Sequence, residues 1–308
     1  MDIKKEHKML IFVISLLIIS VFSTAFFGIK VFYLLFSAIA ASFAVELSFV
    51  YFRKKPVEII RWLITPIIIV LFLPVAAPIW LAVVTTAFAV FFGSSLFGGE
   101  DYYIFNPAMV GVVFATISFP IQMNTMWSGP GALSDLTTQN SATVLKAGGD
   151  LLLSDLLMGN SIGALGEVFR LGLLIIGVLL ILIKVIDWKV PVFFLGSYFL
   201  FTMFGSLIGL DEVMDPVNSL FVGTVILTAF FVATDEPTMS KYPLGIVLYG
   251  VGLGFFTFLI RTYSNFADGT MFAVLIMNTL APLLDKIEEP KEVEELEEGV
   301  LAWKKVLN

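Results

Sequence analysis

The sequence contains no cysteine and a single histidine, His7, which lies in the polar segment before the first apolar run. Without thiolates the chain cannot ligate an iron–sulfur cluster, and one histidine cannot build a histidine-ligated haem or zinc site. Charged residues are also scarce, at 14% of the chain, and no basic excess offers a surface for nucleic acid. Any electron transfer by this chain therefore depends on an organic cofactor.

Apolar residues, by contrast, are abundant. They make up 58% of the 308 residues, and phenylalanine alone occurs 31 times. A soluble domain is typically about 45–50% apolar, so the excess is expected to face lipid. The net charge of -7 comes largely from the acidic C-terminal segment. The N-terminal apolar run is too long for the core of a signal peptide and no clean cleavage site follows it, which predicts a retained transmembrane helix.

The apolar runs predict an all-α polytopic membrane protein with about ten transmembrane helices, since a crossing needs about 20 apolar residues. Pro74 and Pro78 mark the boundary between the third and fourth spans, because proline breaks the helical hydrogen-bond ladder. A nine-helix alternative makes one of these two spans re-entrant. The predicted spans are 9–28, 31–52, 60–76, 78–96, 106–121, 165–186, 191–209, 217–234, 244–260 and 269–285.

The distribution of lysine and arginine predicts the orientation. In the ten-helix interpretation most basic residues fall on one side, which the positive-inside rule assigns to the cytoplasm. Both termini are then cytoplasmic, and the loop 122–164 faces outward. The residues on the cytoplasmic side include Lys4, Lys5, Lys8, Arg53, Lys54, Lys55, Lys184, Lys189, Lys241 and Lys286, whereas Lys30, Lys146, Arg170 and Arg261 fall on the other side.

The two halves of the chain resemble each other. Segments 97–114 and 261–277 are both polar, aromatic, glycine-bearing stretches that lead into a span. Five helices per half place these stretches on opposite faces, which is typical of an inverted repeat of five plus five helices. We therefore expect a first membrane repeat at 1–121, an extracytoplasmic loop at 122–164, a second repeat at 165–285 and an acidic cytoplasmic tail at 286–308.

Four motifs occur in a characteristic order: FGGEDYYIFNPAMVG (97–111), NSATVLKAG (140–148), LLMGNSIGALGE (156–167) and VATDEPTMSKYPLG (232–245). Together they resemble the RnfD and NqrB family. Its members are the D subunit of the Rnf electron-transport complex and the B subunit of the sodium-pumping NADH:quinone oxidoreductase. The short segment before the first helix favours the Rnf member.

The resemblance implies an FMN joined by a phosphoester bond to Thr143, added by a separate flavin transferase. The small Ser141 is expected to give that enzyme access, and Lys146 is expected to pair with the phosphate as a point charge. The chain departs from the family pattern at Val144, where proline is common. It also has Thr137 where an acidic residue is often found.

A second, non-covalent flavin, riboflavin, is expected within the bundle. Gly98 and Gly99 have two interpretations. Either they let the backbone closely approach the planar ring of this flavin or an ion path, or they form a turn that ends a helix. Arg261 either holds a flavin phosphate or marks the lipid headgroups. Asn106 and Pro107 are expected to begin a span, since asparagine caps helices and proline suits the first turn.

Carboxylates at three positions are candidates for an ion path: Glu46, Asp235 and Asp268. Intramembrane carboxylates are often functional. For Glu46 the alternative is a side chain that extends to the nearby interface, and for Asp235 and Asp268 it is a charge at a helix end. Glu167 leads into the sixth predicted span. Its carboxylate can equally be explained as a charge near a helix N-terminus, which the helix dipole favours.

By this resemblance, the complex passes electrons between ferredoxin and NAD and couples this to Na⁺ or H⁺ movement. The expected partners are the A and E membrane subunits, the G flavoprotein, the C and B subunits on the cytoplasmic side, the flavin transferase and membrane lipid. Three alternatives stay open: the quinone-reductase B subunit, a non-redox channel or transporter, and a scaffold with a vestigial flavin site. The coupling ion stays open as well, as does the question of whether this chain conducts it.

Overall fold

A computed structural model describes residues 5–53, 62–99, 102–131, 136–167, 169–210 and 212–288. Within these ranges the fold is helical and has no strand; its β-structure is confined to isolated bridges such as that between Pro74 and Ala164. The predicted all-α class is confirmed. Lys4, Lys54, Lys55 and the tail from residue 289 onward lie outside the described residues, as does the side chain of Arg53.

The helices follow the predicted spans closely in order. The helix Ile79–Phe88, which is α4, continues as a π-helix, Ala89–Ser94, and a 3₁₀ turn, Ser95–Phe97. The first half contains α1 (Lys5–Phe27), α2 (Lys30–Arg53), α3 (Ile64–Phe72), α4 (Ile79–Phe88) and α5 (Pro107–Ser118). The connecting segment contains α6 (Pro120–Thr125), α7 (Ser141–Lys146) and α8 (Leu153–Met158). The second half contains α9 (Arg170–Leu182), α10 (Lys189–Leu207), α11 (Pro216–Phe221), α12 (Val225–Phe231), α13 (Pro243–Tyr263) and α14 (Thr270–Glu288).

Six helical segments in the described residues are long and apolar enough to cross a membrane, so the chain is a multi-pass membrane protein. They are Lys5–Phe27, Lys30–Val50, Ile79–Phe97, Lys189–Leu207, Pro243–Tyr263 and Thr270–Glu288. Helices α5 and α9 are apolar but shorter. The structure does not confirm ten full crossings.

The third and eighth predicted spans are short helices beside breaks. Helix α3 has 9 residues and α12 has 7, so at 1.5 Å per residue they cover about 13 and about 10 Å of a hydrocarbon core of about 30 Å. Helix α3 ends before Pro74, as the sequence predicted, and α4 begins after Pro78. The eighth span is divided into α11 and α12 by an extended residue, Val222.

Helices α3 and α12 form the centre of the core. Nearly every side chain of both helices is buried, including Ile67, Leu71 and Leu227, which have no exposed surface. A helix that is apolar all round needs such an environment, since it has no face suited to water. Helix α3 lies in the third predicted span of the first half, and α12 lies in the third predicted span of the second half.

The breaks beside these helices expose backbone groups that must find partners inside the membrane. Beyond α3, Gly166 and Leu165 donate their N–H groups to the carbonyls of Leu71 and Leu73, at 2.7 and 3.1 Å. The loop 160–167 therefore enters the bundle and covers the end of α3. Ahead of α12, the Thr224 N–H donates to the Asp268 carboxylate at 2.8 Å.

Candidate functional site

The predicted flavin-attachment residue, Thr143, lies in the short helix α7. Asn140 caps this helix in a reciprocal arrangement: its side-chain oxygen accepts from the Thr143 N–H at 2.8 Å, and the Thr143 hydroxyl oxygen accepts from the Asn140 N–H at 2.9 Å. The same hydroxyl donates to the Asn140 carbonyl at 2.8 Å. The Asn–x–x–Thr spacing produces this capping box, which fixes the direction of the Thr143 side chain.

Thr143 and Ser141 differ in accessibility. Thr143 is partly exposed, whereas only 4% of Ser141 is accessible and its hydroxyl donates to the Ile162 carbonyl at 2.8 Å. The Ser141 N–H donates to the same carbonyl at 2.7 Å. Ser141 thus anchors α7 to the loop 160–167. The sequence had suggested that Ser141 opens the backbone to an approaching enzyme, and the structure does not show this. Of these two residues, only Thr143 is partly exposed.

Lys146 lies one helical turn beyond Thr143 and contacts the end of α13. Its ammonium donates to the Arg261 carbonyl at 2.6 Å and also to the Ser264 carbonyl. Burial lowers the pKa of this ammonium below the ordinary lysine value, and Arg261 lowers it further while Glu212 raises it. The role at a flavin phosphate stays a prediction, and in this structure Lys146 donates to backbone carbonyls.

Arg261 is buried, with 2% of its surface exposed, and it does not face headgroups. Its guanidinium donates to the Asp268 carboxylate at 3.2 Å, the Ser219 and Val222 carbonyls at 2.9 and 3.0 Å, and the Tyr198 hydroxyl at 3.1 Å. These two carbonyls belong to the end of α11. Arg261 and Asp268 therefore hold the break between α11 and α12, which makes both residues structural in this conformation.

A large cleft opens at the other end of the bundle, where α1 begins. Its empty space is about 1130 Å³, part of which is open to solvent. Aromatic and apolar side chains cover much of its wall, whereas its polar groups are Lys5, Lys8, Ser42, Glu46, Thr65, Ser94, Tyr103, Asn106, Thr234, Asp235 and Glu236 together with the indole of Trp62. A mostly apolar cleft with a few convergent polar groups is the usual form of a small-molecule site.

Asn106 organises the polar side of this cleft. Its side-chain oxygen accepts from the Met109 N–H at 3.2 Å, which confirms the predicted cap of α5. Its amide nitrogen donates to Asp235 at 3.1 Å, and its backbone N–H donates to Asn278 at 2.9 Å. The Tyr103 hydroxyl donates to the other Asp235 oxygen at 3.2 Å. Asp235 is therefore held in the cleft by side chains from outside its own segment.

Glu46 also lines the cleft, where it accepts a hydrogen bond from the Ser95 hydroxyl at 2.7 Å. Ser95 follows the π-helix at the end of α4, a feature that is frequent at functional sites. Gly98 and Gly99 come next, with φ values of 109° and 88°. They form the turn that ends this segment and are not part of the cleft wall.

The three ion-path candidates are thus separated. Glu46 and Asp235 share the cleft, whereas Asp268 pairs with Arg261 at the far end of the bundle. Helix α13 gives a measure of the distance between them. The hydroxyl of Tyr249 accepts from the amide of Asn278, near the cleft, and Tyr249 precedes Arg261 by twelve residues on this helix. The helical rise places these two levels about 18 Å apart.

Glu167 and Arg170 form a buried pair that the sequence did not predict. Their charged groups lie 3.5 Å apart, and Glu167 also accepts from the Ala164 N–H. Arg170 donates to the Leu156 carbonyl at 3.0 Å and to the Ser161 hydroxyl. The pair fixes the loop 160–167 before α9 begins. Sequence reasoning also missed Asn140, although the Asn–x–x–Thr cap signature was available.

Comparisons with known proteins agree with this architecture. Similar proteins include three that are named as the D subunit of the ion-translocating oxidoreductase complex. That of Erwinia tasmaniensis is 32% identical over 297 residues, covering 82% of this chain and 84% of the relative. That of Aeromonas salmonicida is 33% identical over 310 residues (87% and 88%), and that of Aeromonas hydrophila 35% over 266 residues (74% and 76%). The model of the NQR2, RnfD, RnfE family matches residues 2–294, and the chain belongs to this family.

Proposed function

We propose that this chain is the membrane flavoprotein subunit of an Rnf-type ion-translocating oxidoreductase complex, and that it carries FMN on Thr143. The observation that supports this most directly is the partly exposed Thr143, whose hydroxyl a capping box holds at one end of a membrane bundle. The names of the relatives support an ion-translocating oxidoreductase. They favour the Rnf complex over the quinone reductase.

Thr143 fits a phosphoester. Esterification removes the proton that the hydroxyl donates to the Asn140 carbonyl, while the bridging oxygen can still accept from the Asn140 N–H. The helix keeps its other cap, because the Asn140 side chain accepts from the Thr143 N–H independently of the hydroxyl. When bound, the flavin supplies the electron carrier that a chain without cysteine lacks. The protein's own contribution is to hold the attachment point.

The cleft fits a second, uncharged flavin, and we assign riboflavin to it. Phe12, Trp62 and Phe231 offer aromatic surface for a planar ring, and Asn106 and Asp235 offer polar contacts. Three carboxylates line the cleft beside two lysines. This balance favours a ligand without a phosphate group, which riboflavin is. The carboxylates Glu46 and Asp235 lie in the same cleft, where they are our candidates for contact with a coupling cation, Na⁺ or H⁺.

The proposed setting follows from the charge pattern. The chain lies in the inner, cytoplasmic membrane. The end of the bundle that carries the cleft, with Lys5 and Lys8, faces the cytoplasm, and α7 faces outward. The G flavoprotein of the complex would meet Thr143 on the outer side. The A and E subunits would flank the bundle, and the C and B subunits would handle NAD and ferredoxin. This chain has neither cluster ligands nor a dinucleotide motif.

The experiment is expression of the full chain with and without a flavin transferase, followed by denaturing electrophoresis under ultraviolet light. A fluorescent band that requires the transferase is expected, and Thr143→Val should abolish it. Thr138→Val, at an exposed threonine five residues earlier, is the matched control and should keep the fluorescence. A dark wild-type band would refute the covalent flavin and favour a channel or scaffold. Riboflavin is measured separately, by extraction of the native protein.

A further inference from the structure

Helix α7 is too short to be stable alone. It has six residues, whereas isolated helices below about 12–15 residues are marginal in water. Its position therefore depends on its attachments. At its start, the Ser141 N–H and hydroxyl bind the Ile162 carbonyl. At its end, Leu145 is buried in a small apolar cluster with Met214 and Val222, and the polar attachment is the ammonium of Lys146.

The Lys146 ammonium meets the C-terminal end of α13. The Arg261 and Ser264 carbonyls that accept from it lie beyond the reach of intrahelical donors, since α13 ends at Tyr263. A cation at this end is also favoured by the helix dipole. These contacts join residues more than a hundred positions apart, so they tie the connecting segment to the membrane bundle.

Lys146 and Thr143 are three residues apart, which places them on one face of α7. Fixing the ammonium of Lys146 therefore fixes the face that carries the Thr143 hydroxyl. The Arg261 that receives this contact through its carbonyl also holds the α11–α12 break through its guanidinium. The attachment of α7 thus rests on the rigid part of the bundle.

We propose that Lys146 is a positioning residue that pins the flavin-bearing helix to the end of α13. The part of this proposal that concerns the flavin rests on the proposed function. With the pin in place, the flavin is held at a set distance from the bundle and does not swing on a mobile segment. This role differs from pairing with the flavin phosphate, because it is present in the chain without flavin.

The test is hydrogen–deuterium exchange of the full chain, measured by mass spectrometry on protein made without the flavin transferase. Lys146→Met keeps the apolar stem and removes the donors, and we expect exchange in 143–148 to become about tenfold faster. Lys146→Arg keeps a cationic donor and should restore most of the protection. Lys241→Met, at an exposed lysine, is the matched control and should change nothing in this segment.

The second readout uses protein made with the transferase. Lys146→Met should lower the emission anisotropy of the attached flavin, and Lys146→Arg should restore it. Unchanged exchange in Lys146→Met would overturn the pin, and so would an effect seen only in the flavin-bearing chain, which would indicate contact with the phosphate. A dark band would refute the covalent flavin but leave the exchange result intact, so the two failures are distinguishable.

Discussion

Replacing Arg261 by methionine removes the cation that holds the break between α11 and α12. In the wild type the guanidinium makes hydrogen bonds to Asp268, Ser219, Val222 and Tyr198. Methionine fills much of the space but leaves the Asp268 charge and two buried carbonyls without these donors. Removing one partner of a buried ion pair typically destabilises by about 3–5 kcal/mol. Because Asp268 keeps some solvent contact, with 23% of its side chain exposed, we expect the lower part of that range.

The assay is reversible unfolding of the full chain in mixed micelles as the fraction of denaturing detergent rises. Arg261→Met should lower the free energy of unfolding by about 3 kcal/mol. Asp268→Asn leaves the buried cation unpaired and should also destabilise. The double variant removes both charges, so its loss should fall short of the sum by more than about 1 kcal/mol. Additive losses, or an Arg261→Met effect within about 0.5 kcal/mol of wild type, would refute the assigned role of the pair.

Three further predictions concern single side chains. Asn140→Ala removes the cap of α7, which is worth about 1 kcal/mol, and should speed amide exchange at Thr143 about fivefold, whereas Asn140→Asp should not. Asn106→Asp places a carboxylate against Asp235, so the thermal midpoint should lie about 2–4 °C below that of Asn106→Ser; equal midpoints would contradict this contact. Lys146 has a pKa lowered by burial, so its neutral, nucleophilic form appears at lower pH. Its acylation, followed by peptide mass spectrometry, should reach half its maximal rate below pH 10.5, and a midpoint at or above that value would contradict the burial of this ammonium.

Local chemistry made some of this structure predictable. The Asn106-Pro107 pair predicts a helix start from residues adjacent in sequence, and α5 begins there. Pro74 and Pro78 predict a break for the same reason, because proline lacks the N–H that would continue the ladder. Apolar run length predicts the long crossings, and six segments in the part of the chain that the structure describes are long and apolar enough to be such crossings.

Other features depend on contacts between distant parts of the chain, and sequence alone could not supply them. The apolar run 217–234 is long enough to suggest a full span, yet the chain breaks at Val222 because Arg261 and Asp268 supply partners for the freed backbone groups. Arg261 itself looked like a surface cation. Its burial follows only once its carboxylate and carbonyl partners are placed around it.

The two proposed flavin sites are mechanically connected through α13. Near its start, Tyr249 contacts Asn278, which in turn binds the backbone of Asn106 at the cleft. Near its end, Arg261 holds the α11–α12 break and receives Lys146. A helix hydrogen-bonded at both levels cannot tilt without disturbing one of them, since a close-packed interior transmits strain. A ligand that orders the cleft should therefore restrict motion near Thr143. The prediction that follows is that riboflavin binding slows amide exchange in 143–148 in wild type, and that Lys146→Met removes this coupling.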